Sequence, residues 1–296
     1  MARRAVIITG ARTPFVRAFQ ELVELDAIDL GVAAVRGMLG KVELPWSAID
    51  SIVWGGVILP SGAPNVGREI ALDLGLPASV EAMTVTRACA SGLQAITLAA
   101  AAIERGEADV VIAGGSDSTS NASVNMPATF VRKVAPVALS GKSGPADYLK
   151  LLGSLSARDV LPRQPKIAER TTGEVMGEAA ERMATRNGIT REAQDAFTVQ
   201  SHHRAAAAIA SGRFDDEIVP VTTRSGRVVT HDTIVRADTS VDALARLRPV
   251  FAKGGTLTAG NSSALTDGAA AVLLMSEEKA AELGLVGRAV FRSWAY

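Results

Sequence analysis

A single cysteine, Cys89, stands in a chain of 296 residues. That count excludes an intrachain disulfide framework and a cysteine-based zinc site, and it suits a reducing compartment. Aromatic residues are scarce at 4%, although hydrophobic residues reach 48%, so any core has to be built from Ala, Val, Leu and Ile. Net charge is missing too, since 31 Lys and Arg balance 31 Asp and Glu. With no basic surplus, neither a nucleic acid nor a general anionic surface is indicated as a partner. No run approaches the ~18 apolar residues of a membrane span. The apolar run after the basic start covers only residues 5–8, too short for a signal-peptide core. The chain reads as cytoplasmic, with a transit peptide as the alternative meaning of Arg3-Arg4. Dinucleotide G-x-G-x-x-G, P-loop and zinc spacings are absent as well.

What is present centres on residues 81–115. A β-prone run at 83–86 leads into Arg87-Ala88-Cys89-Ala90-Ser91-Gly92, which is too rich in small residues to continue a strand. Residues 93–103 are strong helix formers closed at Gly106, and 109–113 is a second apolar β-prone run ended by Gly114-Gly115. The pattern predicts strand, turn, buried helix and strand, one βαβ unit. Its turn holds the cysteine at a helix start, where unpaired N–H groups and the helix dipole favour a thiolate. The same N–H groups suit the oxyanion formed when sulfur attacks a carbonyl. The alternative is a small buried apolar cysteine with no chemistry.

Along the rest of the chain, strands are predicted at 5–9 and 51–57 and helices at 29–39 and 66–74, the latter stopped by Gly75. This β–α alternation implies a mainly parallel sheet with helices on both faces. From about residue 118 to 248 the alternation stops. Pro127, Pro136, Pro145, Pro162 and Pro165 break the first part into loops and short helices. Thr172 is the expected cap of a helix from about 174, and Thr190 of a longer one to about 211. Residues 129–158 mix Arg132, Lys133, Lys142, Lys150 and Arg158 with apolar residues. That composition suits either a membrane-surface helix or the solvated face of a lid. His202 and His203 are adjacent on the longer helix, so at most one faces any site, and both read as surface or packing residues. At 254–261 the glycines suit close approach of a ligand, with Ala259, Gly260 and Ser263 lining a narrow channel, or a simple turn before a strand at 269–275.

CASGLQA followed by DVVIAGG resembles the active-site cysteine segment of thiolases. Ala11-Arg12-Thr13-Pro14-Phe15, Met176-Gly177, ITREAQDAFTVQSHHRAAAAIASGRFDDEIVPV and LRPVFAKGGTLTAGNSSALTDGAAAVLLMSEEKA are similar to that family in the same order. LSARDVLPRQPKIAERTTGEVMG most resembles the thiolase subunit of fatty-acid β-oxidation trifunctional complexes. The resemblance implies an α/β fold, layered α-β-α with a mainly parallel mixed sheet. It places an N-terminal domain at 1–117 and 249–275, a loop or lid domain at 118–248, and the start of a C-terminal domain at 276–296. It also implies an acyltransferase converting 3-oxoacyl-CoA and CoA to acyl-CoA and acetyl-CoA, or the reverse, through an acyl thioester on Cys89. Met176, Ala259 and Ser263 then match positions around coenzyme A and its pantetheine arm, with Gly260 between the last two as a further candidate contact. Coenzyme A is a substrate, and no metal or redox cofactor is implied. Implied partners are a second copy in a dimer or tetramer and a β-oxidation hydratase/dehydrogenase subunit.

Three departures qualify the match. Ala264 stands where thiolases usually have glycine, and Asp117 and Thr119 where glutamate and methionine are usual. The family's Gly-His-Pro histidine, its water-positioning asparagine and its second cysteine have no counterpart in these 296 residues, and a second copy of the core repeat is missing. The expectation is that this chain by itself does not sustain turnover. The alternative is a non-catalytic acyl-CoA-binding or scaffold subunit, or an inactive fragment.

Overall fold

The computed structural model describes residues 3–124, 126–161 and 168–295. Pro162 and Pro165, expected breakers, lie outside the described residues, as does part of the trifunctional-like segment. The chain divides into two compact units, one formed by residues 1–122 and 184–296, the other by 123–183.

In the first unit β1 (Ala5–Arg12) leads through a short loop to β2 (Val16–Arg17), then to α1 (Ala27–Leu39). Asp26 starts α1 because its carboxylate accepts the Ile28 and Asp29 N–H groups at 2.8 and 3.0 Å, while Asp29 reaches back to the Asp26 N–H. Next come β3 (Ser51–Gly55) and α2 (Val66–Leu74). Asn65 caps α2, and Gly75 ends it at φ 72°, a left-handed conformation glycine adopts without strain. The predicted βαβ unit follows as β4 (Glu81–Val85), α3 (Ser91–Glu104) and β5 (Val110–Ser118).

The strand expected to stop at Gly114-Gly115 instead runs on to Ser118. Here glycine marks close approach rather than a turn. A Cβ on Gly114 would strike the Ala270 carbonyl and the Trp54 ring, and one on Gly115 would lie 2.8 Å from the Gly55 carbonyl oxygen.

The second unit holds α4 (Ala128–Ala138), α5 (Pro145–Ser154), α6 (Ala157–Val160) and the start of α7 (Met176–Arg186). Lys133 joins α4 to the others by donating to Asp159 at 2.9 Å and to the Ser154 carbonyl at 2.6 Å. The Ser156 N–H, Lys133 and the Ser156 hydroxyl hold the Asp159 carboxyl well below the usual carboxylate range. Helix α7 starts two residues later than expected. Thr172 turns back on the Glu174 N–H, and the carboxylate of Glu178 takes the Val175 N–H at 2.9 Å.

The chain re-enters the first unit with α8 (Arg191–Ala210), capped by Thr190 as predicted. The small ribbon of β6 (Val221–Thr222) and β7 (Val228–Val229), α9 (Val241–Ala245), β8 (Thr266–Ser276), α10 (Glu277–Glu282) and β9 (Ala289–Val290) complete it.

Strand order in the main sheet is β4-β3-β5-β8-β1-β9, with β2 paired to β8. Strands β3, β4 and β5 pair in parallel, and β8 enters antiparallel between β5 and β1. Thus β1 shares the direction of β3, β4 and β5, and the sheet is mixed. Alternation along each strand splits the core. Ile52, Trp54, Ile112, Leu273 and Met275 face α1 and α2, whereas Val53, Val111, Ala113 and Leu274 face α3. Trp54 is fully buried, and its indole N–H donates to Ser116 Oγ at 2.9 Å, which donates to the Ala27 carbonyl at 2.6 Å. Among the described residues no helix is long and apolar enough to cross a membrane.

Candidate active site

The turn from β4 to α3 is tight enough to force one residue out of the ordinary range. Ala88 has φ 46°, an uncommon conformation for a residue with a Cβ. One hydroxyl stabilises the turn from inside: Ser91 Oγ accepts the Arg87 N–H at 2.7 Å and donates to the Ala88 carbonyl at 2.6 Å. Cys89, at the apex, is exposed. No side chain caps α3 at Ala90, so the positive end of the helix and its first-turn N–H groups serve the turn that carries the thiol. The helix can start this close to the sheet because Gly55 has no side chain. A Cβ there would lie 2.6 Å from Gly92 N, against the backbone of the first helical turn.

Cys89 opens into a cavity of about 410 Å³ whose lining also includes Phe15, Val57, Ile96, Asp117 and a glycine- and alanine-rich floor from β5 and β8. Among the described residues, Asp117 is the other ionisable one lining it. Its Oδ1 accepts the Val57 and Ile58 N–H groups at 2.9 and 2.6 Å. Burial pushes its carboxyl above the ordinary value against the pull of those two donors. Asp117 was legible in sequence only as an unusual letter after the strand.

A second cavity in the same unit, about 850 Å³, brings together Ala259, Gly260 and Ser263. The turn that carries them is held from α8. Asp195 pairs with Arg191 at 2.7 Å and accepts the Asn261 side-chain amide at 2.9 Å, while Asn261 Oδ1 accepts the Thr258 N–H at 2.7 Å. The space a Gly260 side chain would need is filled by Leu244 and Leu247, so the glycine there serves packing. Met176 lies elsewhere, at the start of α7 in the second unit, and is 70% exposed.

Two residues of this second cavity escaped the sequence. His202 and Arg236 both line it. His202 Nδ1 accepts the Arg236 backbone N–H at 3.2 Å, and the Arg236 guanidinium donates to the Gly260 carbonyl at 3.0 Å. Burial, Arg236 and His203 push the His202 imidazole below its ordinary value. His203 points away, its Nε2 lying 3.0 Å from the Thr239 carbonyl. The signal for His202 was its place on a helix beside a glycine-rich turn, but helical spacing alone does not say which of two adjacent histidines turns inward.

Fold and site together define an α/β protein that presents an exposed cysteine beside a helix start. The chain belongs to the thiolase family, since residues 5–278 match the thiolase N-terminal domain. It is 40% identical over 295 residues to a 3-ketoacyl-CoA thiolase of Cronobacter sakazakii, covering 99% of this chain and 67% of that one. Among solved structures it resembles the Bacillus anthracis acetyl-CoA acetyltransferase, with TM-score 0.84 and 32% identity over 97% of this chain and 68% of the other. It also resembles human mitochondrial 3-ketoacyl-CoA thiolase in complex with CoA, with TM-score 0.82 and 27% identity over 97% and 68%.

Proposed function

We propose that the chain carries out thiolase-type acyl transfer with Cys89 as the acyl acceptor. The thiolate adds to the 3-oxo carbon of a 3-oxoacyl-CoA, and the first-turn N–H groups of α3 stabilise the oxyanion. The C2–C3 bond then breaks, leaving the acyl group on sulfur, and the released carbanion takes a proton from water to become acetyl-CoA. Coenzyme A gives its thiol proton back to the solvent and attacks the thioester, acyl-CoA leaves, and the thiolate returns. The observation that carries this reading is Cys89 itself, exposed on a strained strand-to-helix turn beside an apolar cavity.

The second cavity suits the coenzyme A portion. Ala259, Gly260 and Ser263 offer a narrow wall for a pantetheine arm, and Arg17 and Arg236 supply positive charge for phosphates. The working form is a homodimer or tetramer, joined in one setting by a hydratase/dehydrogenase subunit. The pathway is fatty-acid β-oxidation or acetoacetyl-CoA metabolism in the cytoplasm.

The test is to incubate the chain with acetyl-CoA or acetoacetyl-CoA and map adducts by peptide mass spectrometry. An acetyl adduct on Cys89 that disappears in Cys89→Ser is expected. Adducts elsewhere, or none, would sink the reading. One observation favours a second reading, acyl-CoA binding without turnover: among the described residues, Asp117 is the only other ionisable group lining the cysteine's cavity. An adduct that forms once and is never released to coenzyme A would support it.

A further inference from the structure

Most of the Cys89 cavity is lined by residues that regular elements hold in place and that carry little or no side chain, such as Gly114, Gly115 and Ala270. Phe15 is the bulkiest exception. Among the described residues it is the one aromatic in that lining, and it sits in the loop between β1 and β2. Its ring lies on Gly268, where a Cβ would come within 2.9 Å of the ring edge. A loop residue has no ladder to fix it, yet Phe15 is held on several sides. Its N–H donates to Asp232 Oδ1 at 2.7 Å, and its carbonyl accepts the Thr233 N–H at 3.2 Å. The Arg12 guanidinium stands 4.9 Å from the ring centroid, a cation–π distance. That guanidinium is itself fixed by a bidentate pair with Asp232, at 2.8 and 3.0 Å, and the two side chains are only 13% and 10% exposed.

We propose that Phe15 sets the size of the group that Cys89 accepts, with Arg12 and Asp232 as positioning residues that keep the ring against the cavity. The inference rests on the acyl-transfer reading for its substrate, an acyl group of limited bulk, but its geometry is independent of that reading. Removing the ring opens space beside Gly268. Loosening the clamp lets the ring swing, which relaxes the limit less completely.

Alkylation of Cys89 tests this without requiring catalysis. Rates with iodoacetamide and with N-hexyl iodoacetamide are read by intact mass on the 296-residue chain, after circular dichroism has confirmed folding. Phe15→Ala should raise the long-to-short rate ratio about tenfold, the scale of discrimination an apolar pocket achieves. Phe15→Leu, which is gentler on folding, and Asp232→Asn should shift the ratio in the same direction by a smaller factor. A ratio unchanged in Phe15→Ala, or in Phe15→Leu where the alanine variant does not fold, would overturn the inference. A changed ratio in Phe15→Ala with no shift in Asp232→Asn would overturn the positioning role. Acylation by acetyl-CoA and octanoyl-CoA, run in parallel, separates the two claims. No thioester with either donor defeats acyl transfer while the alkylation ratio still decides the role of Phe15.

Discussion

Ser91 Oγ accepts the N–H of Arg87 at 2.7 Å, and through its bond to the Ala88 carbonyl it closes the turn that raises Cys89. Ser91 is buried, so water does not replace it. Ser91→Ala removes both of these hydrogen bonds, at a cost of about 1–3 kcal/mol. A lower melting temperature and slower alkylation of Cys89 are expected. Unchanged alkylation kinetics would show that the strained Ala88 conformation persists without the hydroxyl.

Gly55→Ala should be more damaging than its one added methyl suggests. The new Cβ meets backbone atoms of Ser91 and Gly92 rather than a flexible side chain, so either the helix start or β3 has to move. Overpacking of this kind costs about 1–3 kcal/mol. The variant should lose stability in urea titration and lose Cys89 reactivity together. Loss of stability with full reactivity would place the shift in β3 instead of the helix start.

Arg191→Ala leaves Asp195, with its side chain 3% exposed, short of its ion-pair partner, and it removes donors from the Leu244 and Leu247 carbonyls. Breaking a buried pair on one side costs about 3–5 kcal/mol. Because Asp195 also holds Asn261, coenzyme A affinity measured by calorimetry should fall along with stability. Retained affinity in the folded variant would separate that turn from the second cavity's ligand.

His202 gives a pH dependence with a definite sign. Its neutral form accepts from the Arg236 N–H, while burial, Arg236 and His203 disfavour the imidazolium. The unfolded chain therefore binds the proton more readily than the folded one. Its contribution is complete above the unfolded value of about 6.5 and is lost as pH falls below it toward the depressed folded value. Melting temperatures between pH 7.5 and 5 should show this loss. His202→Gln, which keeps an acceptor but cannot titrate, should show a smaller one. Equal slopes for the two proteins would remove His202 from the account.

Helix α2 shows what local sequence settles. Its cap, Asn65, and its stop, Gly75, lie within the segment itself, and the helix occupies residues 66–74 as predicted. Helix α7 shows the limit even at short range, because Thr172 and Glu178 compete for the same start and only geometry decides between them. Gly114 and Gly115 look like punctuation, yet β5 runs through them to Ser118. Their real cause is the approach of Trp54, Ala270 and Gly55 from other strands.

The strand–turn–helix unit and the place of Cys89 at its apex follow from neighbouring residues alone: β-prone Val and Thr, then small residues that cannot extend a strand, then Ala and Leu. The place of the thiol was therefore readable before any tertiary contact. What surrounds the thiol was not. Arg12 and Asp232 are 220 residues apart, and Phe15 reaches the cysteine's cavity only because β8 enters the sheet between β5 and β1. His202 faces Arg236 only once α8 has packed on the returning chain. Periodicity and capping act over a few residues, whereas a cavity wall is assembled by whichever distant segments the sheet order brings side by side.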